Sequence, residues 1–183
     1  LHYYFPPAGP VTPSTISVDV CAYGQSPAGV TAAIEAARRG RSVALLVNSA
    51  WLGGLTSGGL GNTDIGNKRA IGGLARDFYR RVGARYGVAE EWRFEPHVAE
   101  KVLADMLREA GVTPRFKCFP VGAVIQDGRI ESVSFDNGLV VRARQFIDAS
   151  YEGDLMALAG VRHTIGREGN ALYGETLNGV QIH

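Results

Sequence analysis

The sequence lacks an excess of charge of either sign. Its 183 residues include 19 lysines and arginines against 18 aspartates and glutamates, which gives a formal net charge of +1. A protein that binds nucleic acid through the phosphates needs a concentrated positive field, and this balance supplies none. We therefore expect no nucleic-acid partner.

Long apolar runs are also missing. No stretch approaches the roughly 20 apolar residues of a membrane span, so we expect no association with a membrane through such a segment. Apolar residues nevertheless make up 45% of the chain, which is enough for a packed core. The sequence therefore predicts a folded domain rather than a disordered chain.

Cysteine and histidine are scarce, with two and four residues. Cys21 and Cys118 lie far apart in apolar stretches and form no C-x-x-C pair. This favours two buried free thiols and argues against a disulfide reductase. No two histidines have the spacing of metal ligands, so we expect no metal site.

Glycine, in contrast, is abundant and clustered. The chain has 24 glycines, about 13% of its residues, against an average near 7%. The first cluster lies within a run of predicted elements: a buried strand at 18–23, a tight turn at 24–29, an alanine-rich helix at 28–39 and a second buried strand at 42–47. This order is a βαβ unit and predicts a parallel sheet.

The middle of the chain predicts two helices after a glycine-rich segment. Residues 52–73 contain so much glycine that we expect neither helix nor strand there. Apolar residues then recur at helical spacing around 74–82 and again from Pro96 to Gly111.

Two hairpin signals follow these helices. Asp127-Gly128 and Asn137-Gly138 predict turns between antiparallel strands. The strands are expected at 121–125, 130–135 and 139–141, with a separate short strand at 146–147 and a short helix at 153–159.

The turn between the first strand and the first helix has the features of a phosphate-binding turn. It reads Gly24-x-Ser26-x-x-Gly29, close to the dinucleotide fingerprint G-x-G-x-x-G but with serine in the middle. Backbone N–H groups and a helix N-terminus at one point favour a pyrophosphate. Serine is tolerated there if its φ is negative, although its Cβ crowds the closest approach of a phosphate. A turn that binds no ligand remains the alternative.

The end of the second strand departs from that fingerprint as well. An acid normally binds the ribose hydroxyls there, and this chain has Asn48. Asparagine still forms a hydrogen bond but loses the charge-assisted one. The missing charge also suits the 2′-phosphate of NADP, for which Arg38, Arg39 or Arg41 is the expected partner.

Four separated stretches resemble one family. The turn GQSPAG with the pair Gly53-Gly54 and TSGGLGNTDIGNKRAIGG, then WRFEPHVAEKVLADMLREAGV, FIDASYEGDLMALAG and YGETLNGVQ, resemble the bacterial FAD-dependent oxidoreductases of the glutathione-reductase-like fold. The likeness covers residues 18–181. It implies an α/β fold: a Rossmann-like FAD-binding domain with a parallel sheet and a three-stranded antiparallel β-meander.

The resemblance also implies the cofactor site. FAD would be bound without a covalent link, because no cysteine or histidine lies in the flavin loop. The turn formed by Gly24, Ser26, Pro27, Ala28 and Gly29 would line the pyrophosphate, and Asn48 with Ser49 would lie at the adenosine ribose. Gly53, Gly54, Thr56, Ser57 and Gly58 would line the flavin side. Val121 would contact adenine through its backbone, and Ala149 with Ser150 would close over the cofactor.

Other polar residues have two interpretations each. Tyr151, Glu152 and Asp154 follow a strand end, where open α/β sheets place ligands, but they equally suit helix capping. Asp64 and Lys68, with Arg69, suit either substrate contact or a solvated loop. No catalytic residue is assigned.

The domain organisation and function follow from the resemblance. We expect an extended arm at 1–17, the FAD-binding domain at 18–160, and the start of a connection to a substrate domain or partner chain at 161–183. The expected activity is hydride transfer between a small organic substrate and FAD. A non-catalytic scaffold subunit with a degenerate nucleotide site and an NADP-binding dehydrogenase are the alternatives. The compartment is left open.

The resemblance further implies that the FAD domain is incomplete in these residues. Related flavoproteins take the final strand and helix of this domain from the far C-terminal end of the polypeptide. Residues after Asp154 contain no further apolar strand followed by a glycine turn and helix. We therefore expect a second polypeptide, or a continuation of this one, to supply the missing part.

Overall fold

One mixed sheet organises the chain. The structure, a computed structural model, describes residues 11–179. The strands are β1 (Ser14–Tyr23), β2 (Val43–Leu46), β3 (Pro114–Arg115), β4 (Pro120–Gln126), β5 (Arg129–Phe135) and β6 (Leu139–Asp148). The helices are α1 (Pro27–Arg38), α2 (Gly54–Ser57), α3 (Gly73–Arg85), α4 (Pro96–Glu109), α5 (Asp154–Leu158) and α6 (Asn170–Tyr173).

The sheet is half parallel and half antiparallel. Its strand order is β3-β2-β1-β6-β5-β4. The first four strands run parallel, and β5 and β4 continue from β6 as an antiparallel meander. The predicted α/β class, with a parallel sheet and a three-stranded meander, is confirmed.

Strand β6 belongs to both halves, which corrects the prediction of two short strands at 139–141 and 146–147. It pairs with β1 from Ser14↔Leu139 to Tyr23↔Asp148, so the polar residues between the two apolar segments stay extended. The same pairing makes β1 begin at Ser14, before the expected start at residue 18. The first ten residues of the expected arm lie outside the described residues.

Helix α1 matches its prediction to within one residue because local signals mark both ends. Ser26 is the N-cap, and Pro27 occupies the first turn, where its missing N–H has no cost. Gly40 follows the helix with a φ of +71°, which favours glycine at a helix C-terminus. Val30, Ala33 and Ile34 are buried at helical spacing.

The two faces of the sheet are covered differently. Helices α1, α3 and α4 cover one face, where Leu45 and Val47 of the β2 region pack with Leu103 and Met106 of α4. On the other face, Val133 and Phe135 of the meander pack with Cys21, Tyr23 and Leu46. The parallel half is therefore buried on both sides, as parallel sheets require.

Both cysteines lie in the core on the meander side. They are buried free thiols, as predicted. Burial raises the pKa of Cys21 to about 12 and also raises that of Cys118, so neither thiol is poised for reaction.

The glycine-rich segment contains helical structure that was not predicted. α2 is a single turn at Gly54–Ser57, and a 3₁₀ turn covers Lys68–Ala70. The two-residue strand β3 was also not predicted. None of the helices within residues 11–179 is long and apolar enough to span a membrane.

Candidate cofactor site

The loops after β1 and β6 touch at the carboxyl edge of the sheet. The Ala149 N–H donates to the carbonyl oxygen of Tyr23 at 2.7 Å. A Cβ at Gly24 would overlap the Ala149 carbonyl and would lie 2.5 Å from the Ser150 nitrogen, and Gly24 has a φ of +124°. Only glycine permits this approach, which brings two predicted site segments together at the edge where open α/β sheets bind ligands.

Ser26 fits the fingerprint turn in spite of its side chain. Its φ is −65°, the negative value that makes serine acceptable there. Its hydroxyl donates to the Ala149 carbonyl at 2.6 Å and accepts weakly from the Gly29 N–H at 3.5 Å. Ser26 thus caps α1 and ties the turn to the β6 loop.

The first turn of α1 offers backbone donors for an anion. As a first-turn amide, the Ala28 N–H has no backbone acceptor within the helix. The Gly29 N–H has only the long bond to the Ser26 hydroxyl, at 3.5 Å, so a stronger acceptor can replace it. The first turn carries no acidic side chain. Gly29 also packs closely on the turn, because a Cβ there would lie 2.8 Å from the Gly24 oxygen. This arrangement fits a pyrophosphate.

Asn48 has an unsatisfied acceptor. Its Oδ1 is buried and has no hydrogen-bond partner among the described residues. A buried acceptor without a donor costs about 1–3 kcal/mol. A ribose hydroxyl is a donor of the required kind, so this amide fits the adenosine end of a dinucleotide.

The expected arginine partners of a 2′-phosphate lie elsewhere, and that prediction is wrong. Arg38, Arg39 and Arg41 precede β2, whereas Asn48 follows it. At about 3.3 Å per residue, Arg41 lies roughly 20 Å from Asn48, at the amino-terminal end of the parallel strands. Arg39 is moreover paired with Glu35 at 2.8 Å. The main argument for NADP therefore fails, because these arginines cannot bind a 2′-phosphate next to Asn48.

Ser49 and Val121, the other residues expected at the adenosine end, have different surroundings. The Ser49 hydroxyl donates to the Trp51 carbonyl at 2.6 Å, so it closes a local turn. The Ser49 carbonyl accepts from the Lys117 N–H at 3.1 Å, which joins the turn to the loop after β3. Val121 is exposed at an irregularity in the β4–β5 register, between Pro120 and Gly122.

The turn at Gly53 and Gly54 is connected to the fingerprint turn. The Gly53 N–H donates to the Gln25 carbonyl at 2.8 Å. Both glycines have positive φ, +94° and +48°. The Thr56 N–H donates back to the Gly53 carbonyl at 2.9 Å, which closes the single turn of α2 before Gly58 ends it.

Side chains from two other elements hold the same turn. From α4, Glu100 accepts the Leu52 N–H at 3.1 Å. From the β6 loop, the Tyr151 hydroxyl accepts the Leu55 N–H at 2.7 Å. The Ser57 hydroxyl donates to the Leu52 carbonyl. Sequence reasoning missed Glu100, which carries no local signal on an otherwise amphipathic helix.

The polar side chains of the loop after β6 form hydrogen bonds mostly within the loop itself. The Ser150 hydroxyl donates to Asp148 at 2.6 Å and accepts from the Asp154 N–H at 3.0 Å. The Ser150 N–H also donates to Asp148 Oδ1, at 3.0 Å, so both donors of Ser150 are used within the loop. Asp154 is only 8% exposed and accepts from the Tyr23 hydroxyl at 2.9 Å. Burial raises the pKa of Asp154.

The remaining candidates are not brought to this site. Lys68 lies over the ring of Trp92, 5.4 Å from its centre, and Asp64 and Arg69 are exposed. Within residues 11–179, no group of three or more histidine, cysteine or acidic side chains is arranged to hold a metal ion.

A family model of FAD dependent oxidoreductases matches residues 19–182. The chain belongs to this family. FAD is accordingly its cofactor, and the residues at the carboxyl edge fit that group: helix amides for the pyrophosphate and an unsatisfied acceptor for the ribose. No curated protein matches the sequence.

Solved structures share the fold of this FAD dependent oxidoreductase. A geranylgeranyl bacteriochlorophyll reductase-like protein from Thermoplasma acidophilum matches with a TM-score of 0.60 and 22% identity, over 81% of this chain and 43% of its own. L-proline dehydrogenase from P. horikoshii matches with a TM-score of 0.60 and 14% identity, over 86% and 59%. L-amino acid deaminase from Proteus vulgaris matches with a TM-score of 0.57 and 17% identity, over 80% and 50%. The chain thus spans about half the length of these proteins.

Proposed function

We propose that these residues form the FAD-binding part of an enzyme that transfers a hydride between a small organic substrate and FAD. The observation that carries this proposal is the bond from the Gly53 N–H to the Gln25 carbonyl, at 2.8 Å. It joins the turn suited to a pyrophosphate to the turn expected at the flavin. One dinucleotide can therefore contact both.

The roles of the chain's own residues are binding and orientation. The amides of Ala28 and Gly29 would bind the pyrophosphate, and Asn48 would accept a ribose hydroxyl. Glu100 and Tyr151 would keep the flavin-side turn in place. Bound FAD supplies the redox chemistry, with the protein controlling orientation and electrostatics. We assign no proton-transferring residue among residues 11–179.

Two observations favour this function over a scaffold subunit with a degenerate site. The degenerate interpretation rests on Ser26 and Asn48. Ser26 is accommodated with a negative φ and a partner for its hydroxyl, and Asn48 keeps an unsatisfied acceptor. Both substitutions are therefore compatible with a working site.

The cofactor content of the native protein tests the proposal. We expect a yellow protein from which heat releases FAD without a covalent link, and which takes up FAD but not NADP after the flavin is removed. Absorption spectra and titration with both nucleotides measure this. A colourless protein that takes up no added FAD would contradict the proposal.

We further propose that another segment, from a second polypeptide or from a continuation of this one, pairs with the open edge of β6. β5 pairs with β6 only at residues 140–142, whereas β1 pairs with it as far as Asp148. Beyond these three residue pairs, the Arg144 carbonyl accepts from the Arg129 guanidinium at 3.3 Å, rather than from a backbone N–H of a neighbouring strand. Among residues 11–179, no strand pairs with this edge of β6 beside the half-buried Phe146 and Ile147. Such an edge is a site for strand addition.

Hydrogen exchange on the native protein tests this pairing. Amides of 144–147 should exchange as slowly as those of the central strand β1, because both edges of β6 would be paired. Intact mass and size-exclusion chromatography would identify a second polypeptide. Fast exchange at 144–147 in a native protein of this chain's mass would contradict the pairing.

A further inference from the structure

Tyr151 lies across the glycine pair of the flavin-side turn. The Leu55 N–H donates to its hydroxyl at 2.7 Å, a contact between residues 96 positions apart. A Cβ at Gly54 would overlap the Tyr151 hydroxyl and would lie 2.9 Å from Cζ. The glycine at position 54 is therefore required for the tyrosine to reach the turn.

Packing alone does not account for this placement. The Tyr151 residue is 51% exposed, so the contact buries only part of the ring. Among the described residues, the turn is held by Gln25 from the fingerprint turn, by Glu100 from α4 and by Tyr151 from the β6 loop. Tyr151 thus supplies the link to the loop that also packs on Gly24.

We propose that Tyr151 is a positioning residue for the flavin end of the FAD site. Through the Leu55 amide, its hydroxyl holds the turn that begins α2 at a fixed position relative to Ala149 and Ser150. This inference rests on the proposed function, because a fixed separation of these two loops matters when one cofactor lies along both.

The exposure of the contact separates positioning from stability. Water can replace the tyrosine hydroxyl as the acceptor for the Leu55 N–H when no cofactor is bound, so its loss should cost the apoprotein little. The loss of this bond should instead weaken FAD binding, because a turn that is more mobile in the apoprotein must be ordered when the cofactor binds.

Tyr151→Phe in the native protein tests this role, with Tyr86→Phe as the matched control. Tyr86 accepts the Glu95 N–H at 3.0 Å, also in an exposed bond between a backbone amide and a tyrosine hydroxyl, and it lies outside the proposed site. We expect Tyr151→Phe to weaken FAD binding about three- to tenfold, the effect of one neutral hydrogen bond. The visible circular dichroism of the bound flavin should change. Tyr86→Phe should leave both within twofold of the parent.

A second measurement does not use FAD. In the apoproteins, the amides of 55–57 should exchange faster in Tyr151→Phe than in Tyr86→Phe, while the melting temperatures of the two variants stay close. Equal exchange rates of these amides in the two variants would contradict the proposal that the Tyr151 hydroxyl holds the turn.

The remaining outcomes separate this inference from the proposed function. If the native protein binds FAD and Tyr151→Phe binds it equally well with an unchanged flavin spectrum, the positioning role alone is wrong. Tighter FAD binding by Tyr151→Phe would also overturn it, because the ring would then compete with the cofactor. A native protein that binds no FAD would contradict both.

Discussion

The backbone N–H of Gly53 donates to the carbonyl oxygen of Gln25 at 2.8 Å. Both atoms belong to the main chain, so the bond itself uses no side-chain donor or acceptor. The relative position of the two glycine turns is therefore a property of the fold. Side chains adjust it: Glu100 and Tyr151 act on one turn, and Ser26 acts on the other.

The first prediction concerns Gly24→Ala. A Cβ at this position would overlap the Ala149 carbonyl, and the backbone φ of +124° disfavours any side chain. We expect the free energy of unfolding to fall by about 2–4 kcal/mol and FAD content to fall with it. Urea unfolding and the ratio of flavin to protein measure these effects.

Gly122→Ala is the control for that variant. Gly122 lies on β4 without a positive φ, and a Cβ there would meet no atom within 4 Å. Its stability should stay within about 0.5 kcal/mol of the parent. Parental stability and flavin content in Gly24→Ala would show that the two loops do not meet as described.

The second prediction concerns Asn48→Glu. A carboxylate accepts from ribose hydroxyls in charge-assisted bonds, so FAD should bind up to about tenfold more tightly. The apoprotein should become less stable, because the charge enters a place where the Asn48 Oδ1 already lacks a donor. Titrations with FAD and NADP, together with apoprotein unfolding, measure both effects.

Arg41→Ala is a useful companion to Asn48→Glu. Arg41 lies at the amino-terminal end of β2, far from Asn48, so its removal should change the affinity for neither FAD nor NADP. If Asn48→Glu also left both affinities unchanged, Asn48 would not face a ribose.

The accuracy of sequence reasoning depended on how local each signal is. Helix α1 has its cap at Ser26 and its stop at Gly40, and the turns at Asp127-Gly128 and Asn137-Gly138 set the meander. Asp127 and Gly128 both have positive φ, at +50° and +73°, as the hairpin turn requires.

The elements that were missed depend on distant partners. β3 exists because Pro114 and Arg115 pair with Leu45 and Leu46, a register that no local pattern encodes. α2 forms in a glycine-rich segment because Glu100 and Tyr151, both far along the chain, bind its turn. Strand ends predict where a site should lie and include Tyr151, whereas no local pattern indicates that Glu100 binds the same turn.

The third prediction concerns Ser26→Ala. The change removes the cap of α1 and the bond from the hydroxyl to the Ala149 carbonyl at 2.6 Å. We expect the free energy of unfolding to fall by about 1–2 kcal/mol. FAD affinity, referred to the folded protein, should stay within twofold, because the hydroxyl is already committed. Ser17→Ala, at an exposed position of β1, is the control. A tenfold loss of FAD affinity in Ser26→Ala would mean that the hydroxyl contacts the cofactor.

The last prediction concerns the pH dependence produced by Asp154. Its carboxyl group is buried under the Tyr23 hydroxyl, and burial raises its pKa above the ordinary value of 3.8, with Asp148 and Glu152 acting in the same direction. The folded state therefore holds the proton more tightly than the unfolded state does. Between the ordinary and the raised pKa, the folded state binds more protons, so its stability falls as pH rises through that range.

Asp154→Asn tests this dependence, because an amide oxygen can still accept from Tyr23 but carries no charge. Relative to the parent, the variant should gain stability as pH rises above 3.8, and the difference should level off once Asp154 is ionised in the folded parent. Urea unfolding at pH 4, 5.5 and 7 measures the difference, which cancels the opposite contributions of carboxyl groups with lowered pKa, such as Asp19 and Glu90. Asp64→Asn, at an exposed loop position, should show no such trend. A constant difference between Asp154→Asn and the parent at all three pH values would mean that the pKa of Asp154 is the same in the folded and unfolded chains.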